Sequence, residues 1–146
     1  MKKITLFCDG SSLGNPGFGG WCAILRYKNN EKILKGSLIN TTNNKMELTA
    51  VIEGLKALKE PCDVEIVSDS KYVCESINSW LENWIRKDFK NVKNKELWLS
   101  YMQISKLHKI KTRWVKGHNG HIENEQCDKI AKEQALILKD SIKGIK

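Results

Sequence analysis

The 146-residue chain carries 25 Lys+Arg against 17 Asp+Glu, a formal charge of +8, with 40% hydrophobic and 29% charged residues. That length and balance predict one globular domain with a full core of its own and exclude both a disordered chain and a small disulfide-stapled scaffold. The basic excess points to a polyanionic partner, and because 22 of the 25 basic residues are Lys, it suits phosphate attraction better than bidentate base reading.

Residues 3–9 (KITLFCD) read as a strand that ends at Asp9. GSSLGNPGFGG is a glycine-rich connection, GWCAILRY (20–27) a second strand, and 31–39 a third, antiparallel partner in a hairpin. From Asn43 to Lys59, apolar residues at Leu48, Val51, Ile52, Leu55 and Leu58 form the stripe of an amphipathic helix, stopped by Pro61. DVEIVSD (63–69) is a fourth strand. Ser68, Asp69 and Ser70 suit the cap of a following helix, whose inner face is Val73, Ile77, Trp80 and Leu81.

A basic irregular stretch (86–95) comes next, then a helix with Leu97, Tyr101, Ile104 and either Leu107 or His108 on one side. IKTRWV (110–115) is the fifth strand. GHNGH is a loop, and the last helix runs from about Ile122 to Leu138 with Cys127, Ala131, Ala135 and Leu138 facing inward. Trp98 and Trp114 are expected in the core. The order predicts a single α/β domain: a mixed five-stranded sheet with helices on both faces.

The five cysteines (Cys8, Cys22, Cys62, Cys74, Cys127) are odd in number and lack CxxC spacing, which predicts a reducing, cytoplasmic setting and no disulfide framework. His118, His121 and Cys127 lack a fourth partner for a zinc site. No apolar run approaches a membrane span. Neither GK[ST] nor GxGxxG occurs, so no small-molecule nucleotide cofactor is expected.

Four acids stand out: Asp9 and Asp69 at strand ends, Glu47 and Asp128 in the early turns of helices. In open α/β sheets the crevice lies at the carboxyl ends of the parallel strands. If the first and fourth strands pair in parallel, Asp9 and Asp69 are neighbours there, and both helix starts return to the same edge. Clustered carboxylates repel unless a cation holds them, and an oxygen-only set suits Mg²⁺, with Mn²⁺ able to substitute. Two such ions can activate a water and stabilise the leaving oxygen of a phosphodiester. Asp9, on the central strand, is expected to bridge both ions, with Glu47 and Asp69 on one and Asp128 on the other.

The motifs DGSSLGNPGFGGW, TTNNKMELTA, SDSKYV and WVKGHNGHIENEQCDKIA occur in this order between Lys3 and about Ala135, and together they resemble bacterial type-1 ribonuclease H. The resemblance implies that family's fold, in the order βββαβαβα, and cleavage of the RNA strand of RNA–DNA hybrids to 5′-phosphate and 3′-hydroxyl ends. It implies that Asp9, Glu47, Asp69 and Asp128 are the metal-binding catalytic set and that His118 is a mobile histidine assisting proton movement and product release. By the same resemblance Asn15, Asn43 and Asn44 contact the RNA strand, Lys71 lies beside the hybrid, and Thr42 helps hold a DNA phosphate.

The residues themselves add two expectations about substrate. Gly10, Ser11, Ser12, Gly14, Asn15 and Gly17 follow the first acid, where small side chains let backbone groups approach a ribose 2′-hydroxyl and the glycines also serve a tight turn. The segment Trp80–Lys95 interleaves Trp80, Trp84 and Phe89 with Arg86, Lys87 and Lys90, which suits a groove along a nucleic-acid backbone. It corresponds to the family's basic handle, shortened and carrying Asp88. Trp80 also continues a core stripe, which leaves Trp84 as the better substrate candidate. No obligate protein partner is expected, and a monomer is the default.

Overall fold

The computed structural model describes residues 1–117 and 121–143. Its elements are β1 (Lys2–Ser12), β2 (Gly17–Tyr27), β3 (Asn30–Thr41), α1 (Asn43–Lys56), β4 (Cys62–Ser68), α2 (Lys71–Glu75), a π-helical turn (Ser76–Trp80), α3 (Leu81–Arg86), α4 (Lys95–Ser105), β5 (Lys109–Trp114) and α5 (Ile122–Lys143). The sheet order is β3-β2-β1-β4-β5. β1 pairs antiparallel with β2 and parallel with β4, and β4 pairs parallel with β5. This is the α/β fold of mixed sheet and two-sided helices that the order of elements predicts.

Alternation along the strands divides the core. Leu6, Cys8, Val64 and Ile66 join Leu48, Val51, Ile52 and Leu55 of α1 and Trp98 of α4 on one face. Phe7, Cys22, Ile24 and Val67 meet Cys127 and Ala131 of α5 on the other. Small residues let α5 lie close: a Cβ on Gly20 would fall 2.1 Å from the Ala131 carbonyl oxygen. All five cysteines are buried and unpaired, behaving as small apolar groups. Among the described residues no helix is long and apolar enough to cross a membrane.

The structure departs from the sequence expectations at several boundaries. The glycine-rich stretch is mostly strand, because Gly10, Ser11 and Ser12 continue β1 against Trp21, Gly20 and Gly19 of β2. Asp9 therefore does not end its strand. It lies instead just beyond the parallel part of the sheet, since β4 stops at Ser68. α1 ends at Lys56 rather than Lys59, and α5 continues to Lys143.

The helix after β4 is broken. A π-helical turn adds a residue to the turn at Ser76–Trp80, which rotates the chain beyond it out of the 3.6-residue stripe. Trp80 is thereby thrown outward and is 45% exposed, against its expected core position. Trp114 is likewise exposed, because β5 is an edge strand. Phe89 departs the other way and is buried, although its backbone is left-handed (φ 58°). Burial of a Phe side chain, worth about 1.5–3 kcal/mol, offsets the strain of that conformation.

Candidate active site

The parallel register runs from Lys2 opposite Cys62 to Phe7 opposite Val67. Two residues further along each chain come Asp9 and Asp69, side by side where β4 leaves the sheet. α1 brings the third carboxylate. Thr42 caps that helix by accepting a hydrogen bond from the Lys45 N–H at 3.3 Å. Gly10 lets the helix in: a Cβ there would lie 2.3 Å from the Glu47 nitrogen. Gly10 thus shapes the site by admitting α1, a role in the fold beyond the approach to sugar expected of it.

Asp9, Glu47 and Asp69 each offer an oxygen within 4.8 Å of the others. Asp9 and Glu47 are buried. One Asp9 oxygen accepts from the Gly10 N–H at 2.9 Å. Asp9 Oδ2 and Glu47 Oε2 are buried with no hydrogen-bond partner among the described residues. The Asp9 carboxyl is pushed up to about 7, chiefly by burial, with a hydrogen bond from Glu47 lowering it and Asp69 and Asp128 adding to the rise. Burial, then the adjacent Asp9, holds Glu47 well above the usual carboxylate range. Burial thus disfavours the charged form of both acids. An all-oxygen donor set with two orphaned buried oxygens fits a hard divalent cation.

Asp128 lies in the second turn of α5, where it influences Asp9 and pairs with Lys132 Nζ at 3.0 Å. It lines a small cavity with Asp69, Lys116, Gly117, His121, Asn124 and Glu125. Gly117 brings the chain after β5 beside Asp69, since a Cβ there would lie 3.1 Å from Asp69 Oδ2. His118 itself falls outside the described residues. Glu123 turns away from the cavity to Arg26, 2.8 Å from its Nη2.

This geometry has close relatives. The RNase H family pattern matches residues 1–136. The chain is 59% identical over 143 residues to ribonuclease H of Campylobacter concisus, covering 98% of this chain and 99% of that one. The chain belongs to the ribonuclease H family. Ribonuclease HI of Helicobacter pylori is 57% identical over 135 residues, covering 92% of this chain and 94% of the relative, in keeping with the bacterial type-1 branch. A crystal structure of a type 1 ribonuclease H with the type 2 active-site motif superposes with a TM-score of 0.85 at 26% identity, covering 92% of this chain and 72% of the other.

The residues that the ribonuclease H resemblance assigns to substrate fall in two grooves and one flank. Asn15, Thr42, Asn43 and Asn44 line a groove together with Lys45, Lys93 and Asn94. Its polar wall is cross-linked: Asn43 Oδ1 accepts from the Ser12 N–H at 2.6 Å, and Asn15 Oδ1 from the Asn43 N–H at 3.1 Å. Ser12 Oγ donates to the Thr41 carbonyl at 3.2 Å, so Ser12 and Asn43 are engaged in holding this wall. Ser11, half-buried in β1, stands opposite Gly20. A second groove takes Trp84, Lys87 and Lys90 together with Tyr72.

Trp84 is half-buried there, 5.6 Å from the Trp98 ring and 6.1 Å from Trp80. Arg86 is exposed at the end of α3. Lys71 is exposed at the start of α2, with Nζ 5.1 Å above the Trp114 ring.

Sequence reasoning misses Asn124 and misplaces Trp114. Three successive carbonyls at the exit of β4 are held by donors from other elements: Val67 by Asn124 Nδ2 at 3.2 Å, Ser68 by the Val115 N–H at 2.9 Å, and Asp69 by Trp114 Nε1 at 3.0 Å. Those bonds fix the backbone that presents Asp69. Asn124 has a readable signal, because it starts the inward stripe continued by Cys127, Ala131 and Ala135. A polar residue on such a stripe needs a buried partner.

Proposed function

We propose that the chain is a Mg²⁺-dependent endonuclease that hydrolyses the RNA strand of RNA–DNA hybrids, leaving 5′-phosphate and 3′-hydroxyl ends. The observation that carries the reading is the carboxylate trio at the exit of β1 and β4, two of its members buried with an oxygen that has no partner among the described residues, in a chain of net charge +8. Membership of the ribonuclease H family supports the hybrid as substrate.

Asp9, Glu47 and Asp69 would hold one cation, and Asp9 with Asp128 a second. When bound, Mg²⁺ supplies the positive charge that makes a water acidic and neutralises the leaving 3′-oxygen. Mn²⁺ has the same ligand preference and would substitute. A bound cation would favour the charged carboxylates of Asp9 and Glu47, opposing the effect of their burial. Asn15, Asn43, Asn44 and the backbone of Gly10, Ser11 and Ser12 orient the RNA sugar. Thr42 and Lys71 take phosphate, and Trp84, with Trp80 exposed next to it, packs on sugars of the DNA strand. Arg86, Lys87 and Lys90 attract its backbone. His118 accepts or relays a proton as product leaves. The protein works as a cytoplasmic monomer without an obligate partner.

The test is cleavage of a labelled RNA annealed to DNA, to RNA, or left single-stranded. Metal-dependent cutting of the hybrid alone is expected; equal cutting of all three, or none, would overturn the reading.

A further inference from the structure

Helix α5 must bring Asp128 to the strand exits, and its first turn is tied down twice. On its outer side Glu123 pairs with Arg26 at 2.8 Å, and Arg26 also donates through Nε to Glu31 at 2.8 Å while its guanidinium lies 5.0 Å from the Phe7 ring centroid. On its inner side Asn124 Nδ2 donates to the Val67 carbonyl at 3.2 Å. The two ties differ in setting. Arg26 is partly exposed and shares its charge between two carboxylates, an arrangement that contributes little. Asn124 is 8% exposed.

Asn124 uses only half of its side chain in that tie. Its Oδ1 is buried and has no partner among the described residues, and the residue lines the cavity shared by Asp69, Asp128 and His121. An amide oxygen kept buried without a donor is costly. The cavity lining includes two side chains able to donate, Lys116 and His121, beside the Asp69 and Asp128 carboxylates, yet neither donates to Oδ1. The donor that suits a cavity of this polarity is water.

We propose that Asn124 is a positioning residue of the nuclease site: Nδ2 locks the start of α5 to the exit of β4, and Oδ1 accepts a hydrogen bond from a water held between Asp69 and Asp128. The inference rests on the reading of that site as a Mg²⁺ site. Its chemistry is orientation of the water and of the Asp128 carboxylate, with no proton taken by the amide. Partners of this kind, one step removed from the cation, commonly change its affinity at least tenfold when lost.

The experiment is calorimetric titration of Mg²⁺ into the metal-stripped full chain without substrate, for wild type, Asn124→Ala, Asn124→Ser and Arg26→Met, with circular dichroism to confirm folding. Asn124→Ala is expected to weaken Mg²⁺ binding about tenfold. Asn124→Ser, whose hydroxyl cannot span both the Val67 carbonyl and the cavity, should be weakened several-fold and stands in should the Ala variant fail to fold. Arg26→Met, which loosens only the outer tie, should bind within about twofold of wild type.

Unchanged affinity in the folded Asn124 variants would overturn the inference. So would equal loss in Arg26→Met, which would reduce Asn124 to a helix anchor. The failure of the underlying reading looks different, because wild type itself would then bind no Mg²⁺ and leave the hybrid uncut.

Discussion

Asp9→Asn replaces one buried carboxylate oxygen by an amide of the same shape. The retained Oδ1 still accepts from the Gly10 N–H, and the new amide protons face Glu47 and Asp69, turning repulsion into donation. The gain comes from titration. Burial raises the Asp9 carboxyl from 3.8 to about 7, so the folded chain holds its proton more tightly than the unfolded chain does. Wild type therefore bears no penalty from this group below about pH 4, loses stability as pH rises between the two values, and bears the full penalty above about 7.

At about 1.4 kcal/mol per pH unit, that interval is on the order of 4 kcal/mol, or roughly 10 °C in melting temperature for a chain of this size. The assay is thermal unfolding in EDTA from pH 4 to pH 8. The variant should gain on wild type progressively across that range, and saturating Mg²⁺ should shrink the gap by stabilising wild type. A variant no more stable than wild type at pH 8, or a gap constant with pH, would refute the argument.

Asp69→Asn should abolish turnover in a hybrid cleavage assay yet leave hybrid binding intact or tighter by gel shift, because it removes charge that repels phosphate. Gly10→Ala forces a Cβ to within 2.3 Å of the α1 backbone; urea unfolding should show a loss of about 1–3 kcal/mol, accompanied by weaker Mg²⁺ binding. Trp98→Ala, at a fully buried ring, should cost about 3–5 kcal/mol, whereas Trp80→Ala should cost under about 0.5 kcal/mol and show its effect in the Michaelis constant for hybrid. Neutralising Lys87 and Lys90 together should lower the slope of log affinity against log salt by up to about 2.

The acids are legible in the sequence because strand ends and helix starts converge in this topology. The parallel register that ends at Phe7 and Val67 does what the strand boundaries imply for Asp9 and Asp69. The boundaries themselves are less legible. Glycine ordinarily marks a turn, yet here Gly10, Gly19 and Gly20 sit in strands because other backbone or side chains pass too close for a Cβ. A π-helical turn leaves no trace in apolar spacing, so the stripe places Trp80 inside. Trp114 is misplaced because local pattern does not say which strand is an edge. Thr42 carries a capping bond that its assignment to phosphate does not anticipate.

The most direct test of the account is the site's response to metal on its natural polymer: a 5′-labelled RNA annealed to DNA, cut in Mg²⁺ and in EDTA, by wild type and by Asp9→Asn. The account predicts cutting of the hybrid by wild type in Mg²⁺ alone and none by the variant in either condition. Cutting that survived EDTA, or that survived the loss of Asp9, would contradict it.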